Sequence, residues 1–426
     1  MGNLRGAASI VGVGMTRFGN VLETPEIKDQ SLHDLMTEAA YEAMDDAGVS
    51  PRDIDLCLYS HYQVPTSHVN VPYRIMDWIG TKFKKAISYN TACSTTNTGA
   101  GLAATMINGG MADRVLVVSG EILNSGAKFD PTVREPLGPA DVWEVTDYGG
   151  DQEYFYQNWY SVGILYGAAP ILSYAKKYHV PMDKMEESLM SITKHLRRCS
   201  SMNSKAYLQE TLEDEAHDRG FKDTSEYWRS KYNPYMAYPV RAMNALTIAD
   251  GASAYVVTKS DIARNHTDVP IDILGFDWRT FSMTDWYGGS GEDPSNWPAV
   301  RETFRNAYRM ADVEPSDIDY LHIHDCMHSE YFTTAEFSGY FKRGEAWKAY
   351  SEGRIDFDGD KPVNCSGGRH GVGHAFAASG GADLYDIVKQ MQGKAGRRQI
   401  KPEPERVAWH NTGYGQHASV TILGRR

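Results

Sequence analysis

The chain has 426 residues, 42% of them apolar and 11% aromatic, including 26 Tyr and 9 Trp. That composition supports one large core or two fused domains and excludes a disordered polypeptide. A net charge of −12 without any long Lys/Arg run argues against nucleic acid as a partner, and the lack of an apolar run of about 18 residues argues against a membrane span.

Five cysteines (Cys57, Cys93, Cys199, Cys326, Cys365) are scattered and form no CxxC pair, so neither a zinc ribbon nor a disulfide framework is expected. A reducing, cytoplasmic setting follows. The apolar stretch near the N-terminus is short and broken by glycine, unlike a secretory leader.

In chain order, the first expected strand is Ser9–Val13. An amphipathic helix over Leu32–Ala47 leads through Val49, Pro51, Asp53, Ile54 and Asp55 to a strand at Leu56–Tyr59. Next, Ala86-Ile-Ser-Tyr-Asn-Thr-Ala-Cys93 reads as a strand ending in small residues, followed by a Gly/Ala/Thr-rich helix. A thiol at such a junction is favoured as thiolate by the helix dipole, and a thiolate there can accept an acyl group. A small buried cysteine is the plainer alternative.

Val115–Val118 is a further strand. Residues 125–238 change character, with Phe129, Trp143, Tyr148, Tyr154, Phe155, Tyr156, Trp159, Tyr160, Trp228, Tyr232, Tyr235 and Tyr238 among many charges. This predicts a mostly helical insert that covers a site. Lys194, Arg197, Arg198 and Lys205 form a basic cluster within it, suited either to the phosphates of a nucleotide-like ligand or to a solvated helix face.

Strands are then expected at Ala254–Thr258, Ile271–Phe276, Tyr320–His324, Val407–His410 and Ser419–Leu423, with a helix over Val300–Ala311. Here the earlier helix–turn–strand unit returns. Val313, Pro315, Asp317, Ile318 and Asp319 repeat the first set at a constant offset of 264, implying two similarly folded halves. The expected division is 1–124 with 239–265, the insert 125–238, and 266–426.

Three second-half segments carry chemistry. Tyr320-Leu-His-Ile-His-Asp-Cys-Met-His places His322 and His324 on one strand face, a spacing that raises a metal site, although no second cluster matches it and none is expected. Asn364-Cys-Ser-Gly-Gly-Arg-His-Gly-Val-Gly-His lacks the residues of a phosphate-binding loop. Its glycines suggest backbone packed against a reaction site with His374 aimed inward. His410-Asn-Thr-Gly413 follows a strand and is a turn that could offer N–H groups to an oxyanion.

Together Ala92-Cys93-Ser94, Ile323-His-Asp-Cys-Met327, Asn364–Gly380 and His410-Asn-Thr-Gly413 resemble the motifs of the thiolase superfamily, in its sterol-carrier-protein and acetyl-CoA acetyltransferase branch. The opening Val11-Gly-Val-Gly-Met-Thr-Arg-Phe-Gly is similar to the first strand and turn of that branch. The resemblance implies a duplicated α/β/α/β/α fold with a loop domain. It also implies CoA as substrate, no tightly bound cofactor, a homodimer, and a small zinc-ribbon OB-fold protein as a partner.

By the same resemblance, Cys93 carries the acyl group and His374 takes its proton. His324 binds the second thioester oxygen, and N–H groups of Cys93 and Gly413 form the other oxyanion hole. Many thiolases place a second cysteine where this chain has Asn411. The sterol-carrier-protein branch draws it from the His-Asp-Cys motif, which makes Cys326 the acid/base. Such a thiol would be lowered towards neutrality. The cluster Lys194, Arg197, Arg198 and Lys205 then becomes a candidate for CoA phosphates.

Met327 and Ala375 stand where the family has Phe and Pro, so an altered substrate is expected. The aromatic insert invites a bulky or aromatic acyl group, and the resemblance extends to the benzoylsuccinyl-CoA thiolase of toluene breakdown. The alternatives are a C-acyltransferase or synthase using the same acyl-cysteine, a thiolase-like retro-aldolase, and a non-catalytic acyl-binding subunit. The retro-aldolase group dispenses with the nucleophilic cysteine. Sequence leaves open whether His322, His328, Cys365 and His370 reach the site.

Overall fold

A computed structural model describes residues 4–61, 71–123, 167–280, 293, 295–413 and 417–426. Eight of the insert's aromatic residues, Phe129 to Tyr160, lie outside them. The first half comprises β1 (Ala8–Met15), α1 (Leu32–Asp46), β2 (Leu56–Ser60), α2 (Val71–Ile79), β3 (Lys85–Ser88), α3 (Thr95–Asn108) and β4 (Arg114–Glu121). Within residues 125–238 lie α4 (Ala169–Tyr178), α5 (Met182–Ser201), α6 (Leu212–Asp218), α7 (Thr224–Trp228) and β5 (Tyr235–Ala237), followed by β6 (Val240–Arg241) and β7 (Gly251–Lys259).

The second half comprises β8 (Ile271–Thr280), α8 (Pro298–Ala311), β9 (Tyr320–His322), α9 (Ser329–Phe332), α10 (Thr334–Phe337), α11 (Ala346–Ser351), α12 (Gly368–Gly371), α13 (Phe376–Met391), β10 (Arg406–Gly413) and β11 (His417–Arg425). The strands run in the order β3-β2-β4-β7-β1-β8-β11-β10-β9. Ser9↔Asp272 and Ile10↔Ile271 join β1 to β8, so the strands of both halves form one continuous hydrogen-bonded sheet.

The layers follow from side-chain alternation. On one face of β1, β2, β4 and β7, Val11, Cys57, Val118 and Val256 pack on Ala39 and Ala43 of α1. The opposite faces, with Ile10, Leu58, Tyr255, Ile273 and Trp409, enclose Ala100 and Ala104 of α3 and Leu384 and Val388 of α13. Phe304 and Ala307 of α8 cover the far side of β11 at Val420 and Ile422. The result is α/β/α/β/α, with α3 and α13 in the middle. No described helix is long and apolar enough to cross a membrane.

The repeated motif has a repeated physical job. Asp55 Oδ2 accepts from the backbone N–H groups of Asp113 and Arg114 at 3.0 Å, tying the β2 entry to β4. Asp319 Oδ2 accepts from Glu405 and Arg406 at 2.9 Å, tying β9 to β10 in the same way. Helix packing repeats too. A Cβ on Gly12 would come within 2.3 Å of the Ala43 carbonyl oxygen, and one on Gly275 within 2.4 Å of that of Ala307, so each half uses a glycine to seat its outer helix on its sheet.

Candidate active site

Cys93 sits in a turn between β3 and α3, and it is buried. Ala92, just before it, is held at φ +52, a conformation that costs a non-glycine residue about 1 kcal/mol or more. Local polar side chains enforce it. Asn90 Oδ1 accepts from Ala92 N at 2.7 Å, Thr95 Oγ1 from Thr91 N at 2.9 Å, and Ser94 Oγ donates to Thr91 O at 2.7 Å. Ser94 is the N-cap of α3, so Cys93 stands just ahead of the helix's positive end.

His374 occupies the corresponding junction of the second half, ahead of α13. Its backbone is pinned between Thr247 and Ala249, donating to Thr247 O at 2.7 Å and accepting from Ala249 N at 3.2 Å. Its Nδ1 lies 2.8 Å from Ser379 Oγ, one turn into α13, leaving Nε2 for the thiol side. Burial and then the Arg369 guanidinium hold His374 well below the usual imidazole range. It is therefore neutral and able to accept a proton.

His324 comes from the loop after β9, which ends at His322, so the two histidines do not share a strand face as expected. The loop is clamped by Asn364, whose Oδ1 accepts from Ile323 N at 2.8 Å and whose Nδ2 donates to Ile323 O at 3.0 Å. The His324 and His374 rings are 5.4 Å apart, edge to face. His324 is also held neutral, by burial and then by Arg369, His374 and His410. Cys93 Sγ, a His324 nitrogen and a His374 nitrogen all lie within 4.8 Å of one another.

Cys326 follows two residues later, half-buried. Its neighbour Met327 bridges to Ala245. Sequence reasoning asked for a thiol lowered towards neutrality; instead burial, Glu330, Cys93 and Asp325 push it well above its ordinary value. Cys326 thus rests as a protonated thiol. His324, Cys326 and Glu330 form a second set of atoms within 4.8 Å of one another. These two sets are where three metal-capable donors converge among the described residues, and a cation there would occupy the lone pairs that proton transfer needs.

Gly413, at the end of β10, abuts the nucleophile turn: a Cβ there would lie 2.3 Å from Thr91 O and 3.0 Å from Ala92 Cβ. Asn411, on the same strand, donates from Nδ2 to Asp383 Oδ2 at 3.0 Å. Asp383 binds the guanidinium of the buried Arg369 through both oxygens. This Arg369–Asp383–Asn411 network was not foreseen. The arginine adds a positive field to the burial that keeps both histidines neutral, and neither its burial nor its partner is visible in a linear sequence.

The glycines of the 367–381 segment mark close approaches of backbone to its neighbours. A Cβ on Gly367 or Gly371 would come within 2.7 Å of Ser200 Cβ in α5, and one on Gly368 would come within 2.1 Å of Asp325 Oδ2. Gly367 and Gly371 let the α5 helix, and Gly368 the His324 loop, close onto the segment that carries His374.

The four basic residues meet separate partners. Lys194 pairs with Glu213 at 3.0 Å, buried Arg197 with Glu215 at 3.0 Å, and Arg198 with Asp356 and Asp358 at 2.8 and 2.9 Å. Lys205 pairs with Glu42 and donates to the Met15 carbonyl. His322 lies 3.2 Å from Ser366 Oγ, His370 Nδ1 3.0 Å from Ala245 O, and His328 Nδ1 3.2 Å from Asn244 Nδ2, all facing structural partners. Cys365 contacts the Ile355 and Val363 carbonyls.

Residues 287–425 match the family described as "Thiolase C-terminal domain-like". The chain is similar to an acetyl-CoA acetyltransferase of Methanothermobacter thermautotrophicus, 26% identical over 98% of this chain and 99% of that one. It is also similar to sterol carrier protein 2 of Bos taurus, at 25% over 98% of this chain and 72% of the other. Among solved structures, an Ltp2-ChsH2(DUF35) aldolase superimposes with a TM-score of 0.77 at 20% identity, covering 99% and 98% of the two chains. Human mitochondrial 3-ketoacyl-CoA thiolase superimposes at 0.67 and 17%, covering 100% of each. Residues 287–425 thus match the thiolase C-terminal family, and over nearly its whole length the chain is similar to sterol carrier protein 2 and the acetyl-CoA acetyltransferases and shares the layered fold of a solved thiolase.

Proposed function

We propose that this protein is a CoA-dependent thiolase that makes or breaks a 3-oxoacyl-CoA by Claisen chemistry through an acyl-Cys93 intermediate. The enzyme is of the acyltransferase class. The observation that carries the reading is the convergence of Cys93 Sγ with nitrogens of two neutral, buried histidines within 4.8 Å. A neutral imidazole beside a thiol is the arrangement that activates a sulfur nucleophile.

In the condensing direction His374 takes the thiol proton as Cys93 attacks a thioester carbonyl. The oxygen that becomes negative meets the N–H groups of Cys93 and Gly413, and CoA departs with the proton from His374. A second acyl thioester then places its oxygen at His324; Cys326 first gives its resting proton to a neighbouring base and, as thiolate, takes the α-proton. The resulting enolate attacks the acyl-cysteine, forming the carbon–carbon bond and releasing the Cys93 sulfur. Thiolysis runs the same steps backwards.

Met327 and Ala375 replace the family's Phe and Pro beside Cys326 and His374, which supports an acyl group of unusual shape. A bulky aromatic one, such as that of benzoylsuccinyl-CoA, is our candidate. For Lys194, Arg197, Arg198 or Lys205 to bind CoA phosphates, each would have to exchange the carboxylate that now holds it. The exposed edge strand β3, with Ile87 on it and Phe83 just before it facing solvent, supports a homodimer formed along that edge. A small zinc-ribbon OB-fold partner is part of the same proposal, supported by the two-component name of the aldolase neighbour.

The test is intact-mass spectrometry after incubation with acyl-CoA and 3-oxoacyl-CoA thioesters, aromatic ones included. One acyl mass added to the wild type and absent in Cys93→Ala is the expected result. The likeness to an aldolase over 99% of the chain motivates the rival reading, retro-aldol cleavage. Carbon–carbon cleavage without an adduct, and unaffected by Cys93→Ala, would establish that rival instead.

A further inference from the structure

Glu330 has no role in the chemistry above, yet it is fully buried, in α9 one turn beyond Cys326. Its Oε2 accepts from Thr334 Oγ1 at 2.8 Å, while Oε1 is buried without a hydrogen-bond partner among the described residues. A buried carboxylate oxygen with an unused lone pair is destabilising unless it serves something. Here the carboxylate, the Cys326 sulfur and a His324 ring nitrogen lie within 4.8 Å of one another. That separation is bridged by one water molecule or a small side-chain rotation, the reach that proton transfer requires.

We propose that Glu330 is the proton-sharing partner of Cys326, taking the thiol proton when Cys326 acts as a base and returning it when Cys326 acts as an acid. In the first step the S–H bond breaks and an O–H bond forms on Glu330, leaving a thiolate. In the second the reverse occurs, so the pair conserves charge and needs no outside reagent. The proposal rests on the reading of Cys326 as the acid/base of a thiolase.

The electrostatics suit the task. Burial pushes the Glu330 acid up to about 8, with Asp325 reinforcing the shift and the Thr334 hydrogen bond and Arg369 opposing it. The groups facing the pair are Asp325, Arg369, His324 and Cys93. An ordinary carboxylate would be a poor match for a thiol, and raising the acid to about 8 narrows the gap to the raised Cys326 thiol. Glu330 acts through Cys326 and is a positioning residue rather than a group that touches substrate.

Alkylation of Cys326 by iodoacetamide, followed by peptide mass spectrometry from pH 6 to 10 in the Cys93→Ala protein, tests this without any thioester. Removing the anion in Glu330→Gln should move the alkylation midpoint down by about one pH unit, a tenfold gain in rate below it. With Cys93 present, Glu330→Gln should acylate normally but lose at least about tenfold in carbon–carbon bond turnover, and its pH–rate profile should lose the rise through pH 8. Glu330→Asp should keep that rise, and it serves in the same titrations if Glu330→Gln does not fold. Alkylation and pH–rate curves superimposable on the parent's would overturn the proposal. Failure of the thiolase reading would show instead as a missing Cys93 adduct, whatever the alkylation titration reports.

Discussion

The two halves of this molecule solve the same packing problem and then diverge at their tips. In each, a glycine in the first strand seats an outer helix, and an aspartate after the turn ties the second strand to the next one. In each, a middle-layer helix begins just beyond a reactive side chain. That side chain is Cys93 before α3 in the first half and His374 before α13 in the second. Duplication supplied two equivalent junctions at the middle layer, and the proposed chemistry is split between them.

If the junctions divide labour, damage to each should register on a different step. Cys93→Ala should abolish the covalent acyl adduct outright. His374→Ala should still fold and bind, but acylate about 10²–10⁴-fold more slowly in a rapid-mix mass assay. Equal and complete loss of adduct in both would blur the division, and an undiminished rate in His374→Ala would erase it.

The second half also carries most of the buried neutral imidazoles. His322 and His370 are lowered to about 4 and His410 to about 3, chiefly by burial, and His324, His328 and His374 lie well below their usual range. Their folded values are depressed, so below pH 6.5 the unfolded chain binds protons that the native state refuses. Stability is then present above 6.5 and lost as pH falls towards 4, by up to about 1.4 kcal/mol per histidine per pH unit. Urea unfolding at pH 7 and pH 5 should show a steep drop, with fluorescence of second-half tryptophans such as Trp409 moving first.

The scaffold itself offers a sharper comparison. Gly12→Ala and Gly275→Ala each force a Cβ against helix backbone, and each should cost about 2–3 kcal/mol in urea unfolding. Asp55→Ala and Asp319→Ala each remove one acceptor from two backbone N–H groups at partly exposed sites, and should cost about 1–2 kcal/mol. Matching pairs would support two equivalent halves. A glycine pair differing by more than about 2 kcal/mol would mean that one half bears the load.

Much of this was legible in sequence because it is local. Strands at β1, β4, β7, β8, β10 and β11, the helices α1 and α8, and the repeated Pro-x-Asp-Ile-Asp turn declare themselves through periodicity and turn chemistry. The Ala92-Cys93-Ser94 junction was legible for the same reason. The continuity of the sheet through Ser9 and Ile10 was not, since two backbone pairs leave no pattern in side chains. The glycine-rich segment was legible only in part, because glycine marks close approach without naming what approaches. Here it is Ser200 of the insert and Asp325.

What the sequence determined by itself is therefore the elements, the duplication and the reactive residue types, all set by interactions within a few positions of chain. Only the tertiary structure decided their chemical state. Arg369 reaches the site through its ion pair with Asp383, burial removes water from six histidines, and Cys326 is pushed up rather than down beside Glu330. Charge states depend on dielectric and on distances between residues remote in sequence, and those exist only once the two halves have closed on α3 and α13.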